Sequence, residues 1–166
     1  VRRSDEPVSK ALESCSADIL NYLARRVGPD DAPDLLGETM VTAWRRGRDL
    51  PDEPERARMW LFGIARGTLQ NHARGARRRW ALADRIRLHV QGETTAPPSD
   101  AGAEVRDAIE RLDPDLAEVV RLVHWDGFSL TDAAELLGIP SSTVRGRYQR
   151  AKSELRAALS VEAPLA

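Results

Sequence analysis

Cysteine is nearly absent from this chain of 166 residues. Cys15 stands alone, so no disulfide can close within the sequence, and a reducing compartment fits it. Aromatic and β-branched residues are sparse, which argues against a protein built on sheets. No apolar run approaches the roughly 20 residues that a membrane-spanning helix needs. The opening stretch, VRRSDEPVSK, lacks the apolar segment of a signal peptide. A cytoplasmic protein with no direct membrane insertion is expected. Catalytic signatures are missing as well. His72, His89 and His124 are isolated and not at metal-ligand spacing, and one cysteine cannot complete a zinc site with them. No glycine-rich phosphate loop and no Ser-His-Asp arrangement can be traced. Neither a metal nor a cofactor is expected, and the chain does not read as an enzyme.

What the sequence does contain is helix-forming residue types: Ala, Leu, Arg and Glu. The expected fold is all-α. Residues 91–103, QGETTAPPSDAGA, are polar, rich in Pro, Gly, Ser and Thr, and without apolar periodicity. They read as a flexible linker between two small helical domains, 17–90 and 104–160. Residues 1–16 read as a disordered leader and 161–166 as a tail.

In the first domain, Ala17–Val27 has helical spacing and ends at Gly28 and Pro29. Ala32–Arg46 opens with Pro33, and Leu36, Met40, Ala43 and Trp44 are expected to face the core. Asp49–Glu55 holds Pro51 and Pro54 and reads as a loop. Glu55–Arg79 reads as one long helix buried along Trp60, Leu61, Ile64 and Leu69.

The second domain carries sharper punctuation. Asp113 and Pro114 form an N-cap and first helical position, opening a helix through His124. Ser129 and Asp132 are spaced as a capping box. That helix ends at Leu137, where Gly138 provides a tight turn, and Ser141 is placed to cap the last helix. The segment 129–152 therefore has the pattern of a helix-turn-helix. Ala133 and Ala134 allow a close crossing, and Leu136, Leu137, Ile139 and Val144 supply the shared core. The second helix turns Ser142, Thr143, Arg145, Gly146, Arg147, Gln149 and Arg150 outward, suited to a major groove. Arg can hold guanine edges, Gln adenine, and Ser or Thr phosphate.

The formal net charge of −1 hides two basic stripes. Residues 141–156 carry a net +4 and residues 64–89 a net +6, so the remainder carries −11. One stripe in each half is the footprint of bipartite nucleic-acid binding.

These residues resemble a known family. IPSSTVRGRYQRAKSEL resembles region four of bacterial RNA polymerase sigma factors. DLLGETMVTAW (34–44) and MWLFGIARGTLQNHARGARRR (59–79) resemble region two. Their order and the linker are similar to the extracytoplasmic-function (group IV) sigma factors, which have only these two regions. The resemblance implies an alternative sigma factor that binds core RNA polymerase and directs it to promoter DNA. It implies that Asp34 and Glu38 contact the clamp coiled coil of the largest polymerase subunit. It implies that Arg56, Arg58, Arg66, Asn71, His72, Arg74, Arg77 and Arg78 engage the minus-ten element, with Phe62 a candidate to stack on a base. The last helix would bind the minus-thirty-five element through Arg145, Arg147 and Arg150, with Ser142, Thr143, Gln149 and Lys152 in support, and the acidic helices before it would face away from DNA or touch the polymerase flap. An anti-sigma factor, often membrane-bound in this family, is an implied partner. Three positions depart from the family pattern: Gly37 stands where Gln is usual, Gly67 where Asn is common, and Asn71 where Asp is common.

Two other readings stay open at this level. One is a stand-alone helix-turn-helix regulator that binds operators without polymerase. The other is a module that sequesters a protein partner, which basic helices in both halves disfavour.

Overall fold

A computed structural model describes residues 6–84 and 102–161. All regular elements among them are helical. The chain divides into two compact units, 1–92 and 93–166.

The N-terminal unit contains α1 (Glu6–Val27), α2 (Ala32–Arg45), a 3-10 turn at Gly47–Asp49, and α3 (Pro54–Asp84). The three helices all pack on one another. Helix α1 starts eleven residues before the expected position, so the proposed leader is helix from Glu6 onward. The reason is packing. Val8, Leu12, Cys15, Ile19, Tyr22 and Leu23 recur at helical spacing and are all buried. Each fully buried Leu or Ile contributes about 1.5–3 kcal/mol, which is ample to order the first turns. Gly47 contributes to the same contact. A Cβ there would lie 2.8 Å from Cγ2 of Val8, so only glycine lets the 3-10 turn close over α1.

Helix α2 begins as expected, with Pro33 in its first turn. Its buried face is Ala32, Leu35, Thr39 and Ala43. Leu36 and Met40 are half-buried and Trp44 is 45% exposed, so the expected core face is rotated. A polar residue, Thr39, takes the central core position. Its hydroxyl donates to the Leu35 carbonyl at 2.7 Å and lies 3.4 Å from the Thr68 hydroxyl of α3. Intrahelical bonding of this kind lets a threonine be buried without an orphaned donor.

Helix α3 is capped by the Glu53 carboxylate, which accepts from the backbone N–H groups of Glu55 and Arg56 at 3.1 and 3.0 Å. Leu61, Phe62, Ile64 and Ala65 are buried, while Trp60 and Leu69 are half-buried. Phe62 is fully buried and meets Tyr22 edge-on, with ring centroids 5.2 Å apart. It belongs to the core and cannot stack on a base as the sequence suggested. Such an aromatic pair adds about 0.5–1.5 kcal/mol beyond its burial.

The C-terminal unit contains α4 (Ala103–Glu110), α5 (Pro114–His124), α6 (Leu130–Leu137) and α7 (Ser141–Val161). Helix α7 packs against each of the other three. Ile109, Leu112, Leu116, Ala117, Val120 and Ala151 form one core cluster, with Leu155 against it. The caps at Asp113, Ser129 and Gly138 fall where the sequence places them, whereas the one expected at Ser141 does not. The Asp113 carboxylate accepts from the Asp115 N–H at 3.0 Å. Both bonds of the Ser129–Asp132 capping box are formed. Gly138 is left-handed, with φ +68°. Ser141 is already helical, and the Pro140 carbonyl accepts the first bonds, from Thr143 and Val144. Ala133, Ala134 and Val144 are buried, whereas Leu136, Leu137 and Ile139 are half-buried.

Most of the expected linker, 91–103, lies outside the described residues. Its last residue, Ala103, already begins α4. All of the tail except Val161 lies outside them too.

Candidate nucleic-acid interface

Each unit carries its candidate residues on one long helix. On α3, Arg66, Gln70, Arg74 and Arg77 recur every three or four residues and share one face. Gln70, Arg74 and Arg77 are exposed and Arg66 is half-buried. Asn71 lies beside this stripe and its Oδ1 accepts from Arg74. Arg56 is exposed in the first turn of α3. Arg78 lies in α3, but its side chain is outside the described set.

Two candidates point elsewhere. Arg58 lies over the Phe62 ring, 4.7 Å from its centroid, and 3.9 Å from the Asp18 carboxylate of α1. His72 sits 3.7 Å from the Asp31 carboxylate, at the start of α2. Both belong to the packed side of α3, not to the Arg66–Arg77 stripe. Gly67 lies close to that stripe, and a Cβ there would meet nothing within 4 Å. Packing inside the unit therefore does not explain this departure from the family pattern.

On α2, Asp34 and Glu38 are both exposed, one turn apart, as the resemblance requires. The sequence missed their neighbours. Val41 and Trp44 are 46% and 45% exposed. With Gly37 they make an apolar strip beside the two carboxylates, and a Cβ at Gly37 would also meet nothing within 4 Å. The signal was present in the spacing 37, 41 and 44, but Trp44 reads as core when only its hydrophobicity is weighed.

On α7, Ser142, Thr143, Arg145, Gly146, Gln149 and Arg150 are exposed, while Val144 and Ala151 are fully buried on the opposite side. The Arg150 guanidinium bonds Glu154 one turn on, at 2.8 Å, yet remains 70% exposed. Lys152 leans over the Tyr148 ring, its Nζ 5.5 Å from the centroid. Tyr148 in turn stacks on His124 of α5, and the Tyr hydroxyl and His Nε2 are 3.0 Å apart. Arg147 departs from its neighbours: its side chain is 29% exposed and lies 2.5 Å from the Asp115 carboxylate of α5. This arrangement offers a duplex a small polar ridge, Ser142–Gly146–Gln149, flanked by two arginines. Bidentate arginine on guanine is the commonest base-specific contact in a major groove.

Known proteins resemble both halves of the chain. Residues 12–79 match the family model of Sigma-70 region 2, and residues 102–155 match that of Sigma-70, region 4. The chain is 27% identical to the ECF RNA polymerase sigma factor SigL of Mycobacterium tuberculosis, over 94% of this chain and 91% of that one. It is 32% identical to the ECF RNA polymerase sigma factor EcfG of Rhodopseudomonas palustris, over 80% of this chain and 74% of that one. Its fold is shared with the sigma factor RpoE of Bartonella quintana, solved with the anti-sigma factor NepR. That match has a TM-score of 0.72 at 24% identity and covers 93% of this chain and 97% of the other. Two sigma regions in order, and relatives similar over most of the chain, place it in the extracytoplasmic-function family of RNA polymerase sigma factors, alternative sigma factors that direct transcription initiation.

Proposed function

We propose that the N-terminal unit binds core RNA polymerase through α2 and the minus-ten element through α3, while α7 binds the minus-thirty-five element. The observation that carries this reading is the separation of faces. On α2, the outward residues are acidic and apolar: Asp34, Glu38, Val41 and Trp44. On α3 and α7, the outward residues are arginines with small polar neighbours. An acidic and apolar face suits a protein, because a desolvated aromatic anchor beside charges is the usual centre of a protein interface. An arginine stripe suits phosphates.

Among the minus-ten candidates, Arg66, Arg74 and Arg77, with Asn71, are the preferred set, and Arg56 stands at the start of the same helix. Arg58 and His72 act in this reading by bracing α3 against α1 and α2. On the minus-thirty-five side, Arg145, Gln149 and Arg150 read the duplex, with Ser142, Thr143 and Lys152 on phosphates. The acidic first turns of α4 and α5 are left to the polymerase flap. The protein then acts in the cytoplasm. Among the described residues, no helix is long and apolar enough to cross a membrane.

An anti-sigma factor is the proposed regulator. RpoE, which shares the fold, was solved with an anti-sigma factor, and CnrH, which also shares it, with the cytosolic domain of CnrY. A protein that covered Trp44 and Val41 would block the polymerase.

Run-off transcription with purified core polymerase on a library of genomic promoters tests the whole reading. Initiation at a defined subset of promoters, dependent on this protein, is expected. Duplex binding with no core association would instead favour a stand-alone regulator.

A further inference from the structure

Arg147 stands apart from the other candidates on α7. The outward line of this helix is Ser142, Gly146, Gln149 and Ser153, and the buried line is Val144 and Ala151. At about 100° per residue, Arg145 and Arg150 each lie about 70° from the outward line, on opposite sides. Arg147 lies about 130° from it, close to the buried line. Its guanidinium is 2.5 Å from Asp115 and largely covered.

The position of Asp115 is itself fixed. Pro114 occupies the first turn of α5, and the Asp113 carboxylate accepts from the Asp115 N–H. Asp113 is thus committed to the backbone, and Asp115 is the carboxylate that reaches α7. A negative charge is also favoured there by the positive end of the helix dipole. The pair lines a cleft together with Asp113, Leu116, Thr143, Gly146 and Arg150. The contact joins the start of α5 to the reading half of α7.

We propose that Arg147 does not read a base but sets the rotation of α7 against α5 through Asp115, which makes Asp115 a positioning residue for recognition of the upstream promoter element. This rests on α7 being the duplex-reading helix. Because its carboxylate partner is 63% exposed, the ion pair contributes little to stability. A charge-assisted bond from a planar guanidinium is directional, however, and direction is what recognition needs. Turning α7 by about 20° would carry a side-chain tip about 6 Å from its axis through about 2 Å. Productive recognition geometry is held within about 0.5 Å. Without the pair, Arg145 and Arg150 would still meet DNA, but at angles that no longer favour one base.

The test uses the full chain reconstituted with core RNA polymerase, transcribing from a promoter pool randomised across the upstream element. The measured quantity is discrimination, the output from the enriched upstream sequence over that from a scrambled one. D115R and R147D singly are expected to lower discrimination about tenfold, and the D115R/R147D swap to return it to within about threefold of wild type with the same preferred sequence. A swap that stays as poor as R147D, or that prefers a different base, overturns the proposal, because Arg147 then touches DNA. Should the swapped chain fail to fold, D115N gives an independent reading, since Asp113 still caps α5. Positioning predicts that D115N loses discrimination. A direct reader, set free by the same change, would keep or gain it, and that result overturns the proposal. If the wild-type holoenzyme enriches no upstream sequence at all, the duplex-reading role of α7 fails and the proposal falls with it; a wild type that discriminates beside a swap that does not overturns the pairing alone.

Discussion

The two units hold their helices in different ways. The N-terminal unit depends on contacts far apart in sequence: Tyr22 on Phe62, Thr39 beside Thr68, Val8 beneath Gly47. The C-terminal unit depends more on signals a few residues apart: Asp113 with Pro114, Ser129 with Asp132, and the left-handed Gly138. One is a shared core with few caps, and the other a set of capped helices around α7. The contrast teaches where stability and recognition can be separated. In the C-terminal unit the ends of α5 and α6 are fixed locally, and the outward line of α7, Ser142, Gly146, Gln149 and Ser153, is exposed. In the N-terminal unit, candidates such as Arg58 and His72 are drawn into the packing.

The largest effect should come from the long-range core. Phe62→Ala is expected to destabilise the N-terminal unit by about 3–5 kcal/mol, and Leu12→Ala by about 2–5 kcal/mol. Urea unfolding followed by hydrogen exchange in both units checks this. Loss of protection in the C-terminal unit as well would break the comparison, and an inert Leu12→Ala would return residues 6–16 to the status of a leader.

Next comes the apolar strip on α2. Trp44→Ala should leave stability within about 0.5 kcal/mol, because the side chain is exposed. The same change should weaken core polymerase binding by about 2 kcal/mol if Trp44 anchors that interface. Titration of labelled protein with core polymerase, beside a melting curve, separates the two effects.

Arg145→Ala and Arg150→Ala should each weaken upstream-element binding by about 1–3 kcal/mol, with the melting temperature nearly unchanged. Electrophoretic mobility shifts of the holoenzyme on matched and scrambled duplexes measure this. Equal loss on both duplexes would assign these arginines to phosphates.

The smallest effects belong to the local signals. Gly138→Ala forces a side chain into the left-handed region and should destabilise the C-terminal unit by about 1–2 kcal/mol. Ser129→Ala removes half of the capping box and should cost about 0.5–2 kcal/mol. Both should leave exchange in the N-terminal unit untouched.

This contrast also explains what could be read from the sequence. The caps at Asp113 and Ser129 and the turn at Gly138 involve residues within three or four positions, so local chemistry declares them. The helix-turn-helix follows, and with it the exposed line of α7. The start of α1 was within reach too, since Val8, Leu12, Cys15 and Ile19 keep helical spacing, but the polar residues between them hide it. The face of α2 was not within reach. Choosing between Thr39 and Trp44 for the core requires knowing that Thr68 and α1 lie opposite, and a large apolar residue outranks a threonine on hydropathy alone. The pairing of Arg147 with Asp115 spans 32 positions in the sequence. No periodicity announces such a contact.

The outward line of α7 has one further consequence. Ser142, Gly146, Gln149 and Ser153 are exposed, while Val144 and Ala151, with Arg147 on Asp115 and Tyr148 on His124, tie that stretch to the rest of the unit. The proposed recognition surface is therefore interchangeable, like a bit in a fixed holder. Its side chains can be rewritten together, by drift over generations or by a designer at the bench, to address a new set of genes, and the rest of the unit would keep its shape.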